Sequence, residues 1–343
     1  MKRLDVKRIR RILVRSTNWI GDAVMTTPAL GAVRETFPSA EILIAANPLV
    51  AELFKNHPYC DGVIIYDKKG EHGGIRGMLG FCRGLRGYRF DAALLLQNAF
   101  EAALMAFLAG IRVRAGYRTD GRGLLLTHGV VIGEEERRLH HTDYYLQMVN
   151  TLGIYGGDGR LKLSCTDSEI AGAREALSEE KWMAINPGAS YGSAKRWYPD
   201  RFAAVADELA EEFGNRILII GGQGERDVSE EIEQKMKTEA LNLCGKTTVR
   251  EMMAVLSQCR LMITNDSGPM HVAAAFNVPI VAVFGPTDHT TTSPFSDKNR
   301  IIRKEADCAP CLLRHCPTDH RCMEAITVDD VVTAARSIME TTD

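Results

Sequence analysis

The chain has 343 residues, a length that suits two domains of ordinary size. Its 42 basic and 44 acidic residues leave a net charge of −2, which argues against wholesale nucleic-acid binding, a task that needs a basic domain. A hydrophobic content of 45% is ordinary for a globular protein, and no apolar run approaches the roughly 18–20 residues of a membrane span. The longest candidate, 272–285, is interrupted by Asn277 and Pro279. The basic N-terminus leads into a short strand-like run broken by Arg15, which is not a signal-peptide core. A cytoplasmic protein is expected, with its nine scattered cysteines as reduced thiols.

Short apolar runs alternate with helix-length periodic segments. Residues 11–15 read as a first strand and 23–37 as an amphipathic helix. Strands are expected at 41–46, 62–66 and 92–96. The pattern weakens between Thr119 and Thr166, where Gly156, Gly157 and Gly159 mark a loop. It restarts with strands at 182–186, 216–220, 241–243, 261–264 and 280–284, and a helix over 327–339. Strands spaced by helices imply crossover units and parallel sheets. The expected fold is α/β, with two Rossmann-like parallel-sheet domains facing a cleft. Their limits are set at 1–165 and 166–326, with 327–343 as a C-terminal helix.

Ligands of open α/β sheets bind beyond the carboxyl ends of the strands, so the strand-to-helix turns carry the candidates. In the first, Ser16-Thr17-Asn18-Trp19-Ile20-Gly21-Asp22, the acid reads either as a helix N-cap or as a general base for an acceptor hydroxyl. A positive helix terminus would weaken that base, and partial burial against Trp19 and Ile20 would offset this. The turn from Pro187 to Trp197 offers small residues with exposed amides, then Lys195 and Arg196. This suits a diphosphate, or else is a solvated basic loop. Glu225, after Gly221-Gly222-Gln223-Gly224, either accepts from ribose hydroxyls or simply favours a helix's first turn. The most specific turn is Thr264-Asn265-Asp266-Ser267-Gly268-Pro269-Met270-His271. Here Ser267 is placed to cap a helix whose amides form an anion site, Asp266 to grip sugar hydroxyls, and His271 to reach the cleft. The chain has no G-x-x-x-x-G-K-[ST] loop, no G-x-G-x-x-G after the first strand and no D-x-D pair.

Taken in order, these turns resemble the heptosyltransferase family of lipopolysaccharide core synthesis, glycosyltransferase family 9. The residues that carry the resemblance are 15–22, Asn186-Pro187-Gly188-Ala189 with Lys195-Arg196-Trp197, Gly221-Gly222, and Asn265-Asp266-Ser267-Gly268 through His271-Val272-Ala273-Ala274-Ala275. The wording around Trp19 and around Met270-His271-Val272 is most like the heptosyltransferase II branch; a type I or III enzyme or another family 9 transferase is the alternative. The resemblance implies a GT-B fold, ADP-L-glycero-D-manno-heptose as donor, a heptosylated Kdo–lipid A acceptor, inversion, and no required cofactor or metal. It implies Asp22 as base, and Ser190, Lys195, Arg196, Glu225, Asp266, Ser267, Gly268 and His271 around the donor. Tyr191 matches the family poorly.

Two features stand outside these turns. Arg76, Arg83, Arg86, Arg89, Arg112, Arg114, Arg118 and Arg122 crowd the second half of the first domain. They form either a solvated face or a dock for acceptor phosphates or the anionic inner leaflet, which would make the enzyme peripheral to the inner membrane. Cys308, Cys311, Cys316 and Cys322, with His315 and His320 among them, have the close spacing of a structural zinc site, or are loop thiols. A nucleotide-sugar epimerase or hydrolase, or a non-catalytic sugar-nucleotide binding protein, are the competing functions.

Overall fold

The computed structural model describes residues 3–178 and 180–341. The chain divides into two compact units, Met1–Ser164 and Cys165–Asp343. Among the described residues, the first unit contains the strands β1 (Arg11–Arg15), β2 (Glu41–Ala46), β3 (Gly62–Ile65), β4 (Ala92–Leu95), β5 (Val113–Tyr117) and β6 (His128–Val130). The second contains β7 (Trp182–Asn186), β8 (Arg216–Ile219), β9 (Ala240–Asn242), β10 (Leu261–Asn265), β11 (Ile280–Val283) and β12 (Asn299–Ile302). Their orders are β3-β2-β1-β4-β5-β6 and β12-β11-β10-β7-β8-β9, and every pairing is parallel. Parallel neighbours need crossover connections, which the intervening helices supply. In both sheets the order reverses beside the first strand, between β1 and β4 and between β7 and β10. Such a reversal opens a crevice beyond the strand ends.

The central strands are near-continuous apolar runs because both of their faces are covered. Every residue of β7 and β10 is buried. Three strands escape the sequence reading. β5 carries Arg114 and Gly116, β6 is three residues long at a sheet edge, and β12 is an edge strand whose residues are all half-buried. The helix expected over 23–37 begins earlier and is two helices, Ile20–Met25 and Thr27–Thr36. Pro28 has no amide hydrogen, and the break places it in the first turn of the second helix, where none is needed. Thr26 and Thr27 secure the junction by donating their hydroxyls to the carbonyls of Ala23 and Val24, at 2.6 and 2.7 Å.

The helix Val328–Glu340 is part of the second unit. Its Val331, Val332, Ala335, Ile338 and Met339 share one core with Trp197, Phe202, Ile217 and Ile263. A capping box between Thr327 and Asp330 starts it, and Arg336 ties its outer face to Glu208 and Glu212. Among the described residues no helix is long and apolar enough to cross a membrane.

Candidate active site

In the second unit, three consecutive strand ends are knitted together. Asn186, at the end of β7, donates to the Ile220 carbonyl at 3.0 Å and accepts from the Ser267 hydroxyl at 2.7 Å. Asn265, at the end of β10, accepts from the Trp197 amide at 3.1 Å and donates to the Pro187 carbonyl at 2.7 Å. These bonds hold the 187–197 loop against the β10 turn. Within that frame the Lys195 ammonium meets Asp266 at 2.5 Å, both side chains being largely buried. Thr287, from the turn after β11, donates to the same carboxylate oxygen at 2.7 Å. Thr287 was not among the sequence candidates. It lies beyond a strand end like the others, and that position was the signal that could have found it.

Ser267 does not cap its helix. Its backbone is extended, and its hydroxyl is engaged with Asn186 and Thr264. The first turn of the helix Gly268–Ala275 therefore has no capping side chain, which leaves the N-terminal amides and the positive end of the dipole for an anion. Asp266 is occupied by Lys195 and Thr287 before any ligand arrives. His271 is buried, at 2% exposure, and belongs to the interior rather than to an exposed face. Glu225 opens its helix, as one of its two readings has it. One oxygen caps the Gly222 amide at 2.7 Å, while the carboxylate lies over Gly188, where a Cβ would fall 2.0 Å from the Glu225 Cδ. Ser190 is exposed, and Arg196 is half-buried with its Nε enclosed and unbonded.

The cysteine-rich segment, distant in sequence, packs directly on this loop. The Tyr191 hydroxyl donates to the Leu312 carbonyl at 2.9 Å, and the Ala194 amide to the Arg314 carbonyl at 3.0 Å. His315 pairs with the Ser193 hydroxyl at 2.9 Å, and His320 Nε2 reaches the Ala194 carbonyl at 2.7 Å. The zinc site that the cysteine spacing offered as one reading is not assembled. Among the described residues no group of three or more His, Cys, Asp or Glu side chains is arranged to hold a metal, and Cys308, Cys311, Cys316 and Cys322 are all free. The two histidines bond the loop instead. Burial, followed by the charges of the other three cysteines, raises the Cys322 pKa, while the Thr318 hydroxyl leads the groups that lower that of Cys316.

In the first unit, Asp22 is not an N-cap. Trp19 holds that position without a side-chain bond, and Asp22 follows within the first turn of the six-residue helix Ile20–Met25. Its carboxylate retains 30% exposure and lies 3.5 Å from His141 Nδ1. The Trp19 indole itself is 53% exposed. Nearby, Tyr145 is buried; burial raises its pKa well above the ordinary value, and the Asp22 charge adds to the effect. The turn itself is held by Arg15, whose buried guanidinium donates to the carbonyls of Ser16 and Ala45 at 2.8 and 3.1 Å and to Asn18 at 3.3 Å. Burial pulls the Arg15 pKa down to about 10. Sequence reasoning missed His141, which sits more than a hundred residues from Asp22 with no motif of its own.

The arginine cluster is not one surface. Arg122 is fully buried and donates to the carbonyls of Tyr117, Gln97 and Leu95 and to Asn98, so it cannot dock a ligand. Arg114 is half-buried, bonded to the carbonyls of Leu125 and Ile111 and set over the Phe107 ring. Both supply donors to carbonyls that the ends of β4 and β5 and the adjoining turns leave open. Arg112 and Arg118 remain exposed, as do Arg76, Arg83, Arg86 and Arg89.

Comparison with known proteins agrees with this layout. Residues 78–321 match glycosyltransferase family 9 (heptosyltransferase). The chain is 30% identical to the lipooligosaccharide heptosyltransferase 2 of Campylobacter jejuni subsp. jejuni serotype O:2, over 96% of this chain and 98% of that one. It is 31% identical to the lipopolysaccharide heptosyltransferase 2 of Escherichia coli K12, over 85% and 88%. Among solved structures, the E. coli ADP-heptose lps heptosyltransferase II superposes with a TM-score of 0.82 at 27% identity, covering 96% of this chain and 99% of that one. A glycosyl transferase family 9 protein from Veillonella parvula superposes at 0.88 with 23% identity, covering 99% of both. The fold is GT-B, and the chain belongs to glycosyltransferase family 9, the heptosyltransferases.

Proposed function

We propose that this enzyme transfers L-glycero-D-manno-heptose from ADP-heptose to the heptosyl-Kdo–lipid A inner core of lipopolysaccharide, with inversion and without a metal ion. The relatives named heptosyltransferase 2 support the sugar and the acceptor class. The observation that carries the reading is the second unit's cross-tied turn, where Lys195 and an uncapped helix terminus stand ready for a diphosphate.

In this reading the acceptor hydroxyl oxygen attacks the anomeric carbon from the face opposite the diphosphate. Its proton passes to Asp22, and the sugar–oxygen bond to ADP breaks with its electron pair leaving on the phosphate. A single displacement inverts the centre. Lys195 and the first-turn amides of Gly268 and Met270 stabilise the charge that grows on the departing group. Glu225, positioned beside Gly188, takes the ribose hydroxyls, and Ser190 lies next to the phosphates. Fixed cations and amides in the pocket, together with the absence of a D-x-D pair, favour a metal-free site. The exposed Arg76, Arg83, Arg112 and Arg118 would hold the enzyme at the anionic cytoplasmic face of the inner membrane.

The test is transfer from ADP-heptose to defined truncated core acceptors, read by mass. A gain of one heptose on the heptosylated Kdo acceptor supports the reading. Donor breakdown that needs no acceptor would replace it with a hydrolase.

A further inference from the structure

We propose that Arg314, carried in by the cysteine-rich segment, is a second diphosphate-binding cation of the donor site. This rests on the donor-site reading above and deepens it.

The charge of the pocket is the starting point. Lys195 is paired with Asp266 at 2.5 Å, so its positive charge is shared with that acid before a diphosphate arrives. Glu225 adds a further carboxylate beside Gly188. A diphosphate entering such a pocket meets Lys195 already paired and a second acid, beside the amides of one helix terminus. Arg196, the next residue, is half-buried with its Nε enclosed. Another exposed cation is needed against the loop, and the fold supplies one from far along the chain.

Tyr191 is the platform. The Lys195 ammonium and the Arg314 guanidinium each sit 5.1 Å from the centroid of its ring. The shared ring brings the two cations to the same short stretch of loop, and an aromatic face tolerates a guanidinium without neutralising it. Arg314 is exposed, and among the described residues it has no carboxylate partner and its guanidinium makes no hydrogen bond. Its backbone is fixed even though its side chain is not. The Arg314 carbonyl accepts from the Ala194 amide at 3.0 Å, and a Cβ at Gly192 would lie 2.2 Å from that carbonyl oxygen, so the two segments touch where Gly192 has no side chain. The result is a forked, uncompensated donor set on the same ring as Lys195, which suits the paired oxygens of a phosphate. The poor match of Tyr191 to the family pattern then acquires a meaning: at this position the chain carries a ring that presents a second cation instead of a small hydroxyl.

The experiment compares full-length wild type, Arg314→Ala and Arg314→Lys for ADP and adenosine binding by calorimetry, donor kcat and KM, and thermal melting. Truncating Arg314 leaves the backbone contacts in place, so the melting temperature is expected to hold. Loss of a charge-assisted bond at an exposed site is expected to weaken ADP about ten-fold and raise donor KM similarly, with kcat changing less. Adenosine, which has no phosphate, should bind alike to all three, and Arg314→Lys should recover part of the loss. ADP affinity unchanged in Arg314→Ala overturns the proposal, as does an equal loss for adenosine. A wild-type protein that binds no ADP overturns the donor-site reading itself, and this proposal with it.

Discussion

The two turns proposed to carry the chemistry are built in opposite ways. After β10, Asn265, Asp266 and Ser267 are cross-bonded to Asn186, Lys195, Trp197 and Thr287, so the charged groups are fixed before a ligand arrives. After β1, Asp22 is half-exposed, caps nothing, and meets His141 only at 3.5 Å. The difference suits the tasks proposed for the two turns. Stabilising a departing diphosphate benefits from charges that do not have to reorganise, whereas a base that collects a proton must keep its carboxylate open to the incoming hydroxyl.

The comparison is broken most severely at Asp22. Asp22→Ala is expected to lower kcat by about 10²–10⁴ while ADP affinity holds; normal turnover would remove Asp22 from the mechanism. Lys195→Ala should cost about 10²–10³ in kcat/KM and, unlike Asp22→Ala, also weaken ADP, because it frees Asp266 to repel the phosphates. An ADP titration separates the two. Arg122→Ala should destabilise the first unit by about 3 kcal/mol in urea unfolding, since four buried acceptors lose their donor, while Arg112→Ala stays within about 0.5 kcal/mol. Equal effects would mean that the buried and exposed arginines do not differ as described. Gly188→Ala should displace the Glu225 carboxylate, cost about 1–3 kcal/mol of stability and weaken ADP; its crystal structure would show Glu225 moved.

The smallest effect concerns the start of the second unit. Arg250 holds the Glu169 pKa down, from 4.5 to about 2. A depressed carboxylate contributes stability above its unfolded pKa and loses it as pH falls through the folded value. Wild type should therefore lose about 1 kcal/mol relative to Arg250→Ala between pH 4.5 and about 2, and parallel stability curves through that window would exclude the coupling.

Much of the site was legible because a strand-to-helix turn announces itself: an apolar run ends, glycine and polar residues follow, and a helix begins. Asp22, Lys195, Glu225 and Asp266 all lie in such turns. The arginines misled because charge alone does not reveal whether a guanidinium faces water or completes the carbonyls at a strand end, as Arg122 does. The cysteines left two readings open because spacing in sequence does not say whether side chains arrange as a metal shell, and His315 and His320 bond the 193–194 loop.

By itself, the order of residues determined the parallel α/β character and the positions of the main turns, because both arise from local periodicity and from residues with special backbone or capping properties. Tertiary structure alone decided which side chains meet: His141 with Asp22, Thr287 with Asp266, Arg314 with Tyr191. Thr287 and Asp266 follow different strand ends, and all three pairs depend on sheet order and on how a returning segment packs, quantities set by the burial of whole elements rather than by any short stretch of chain.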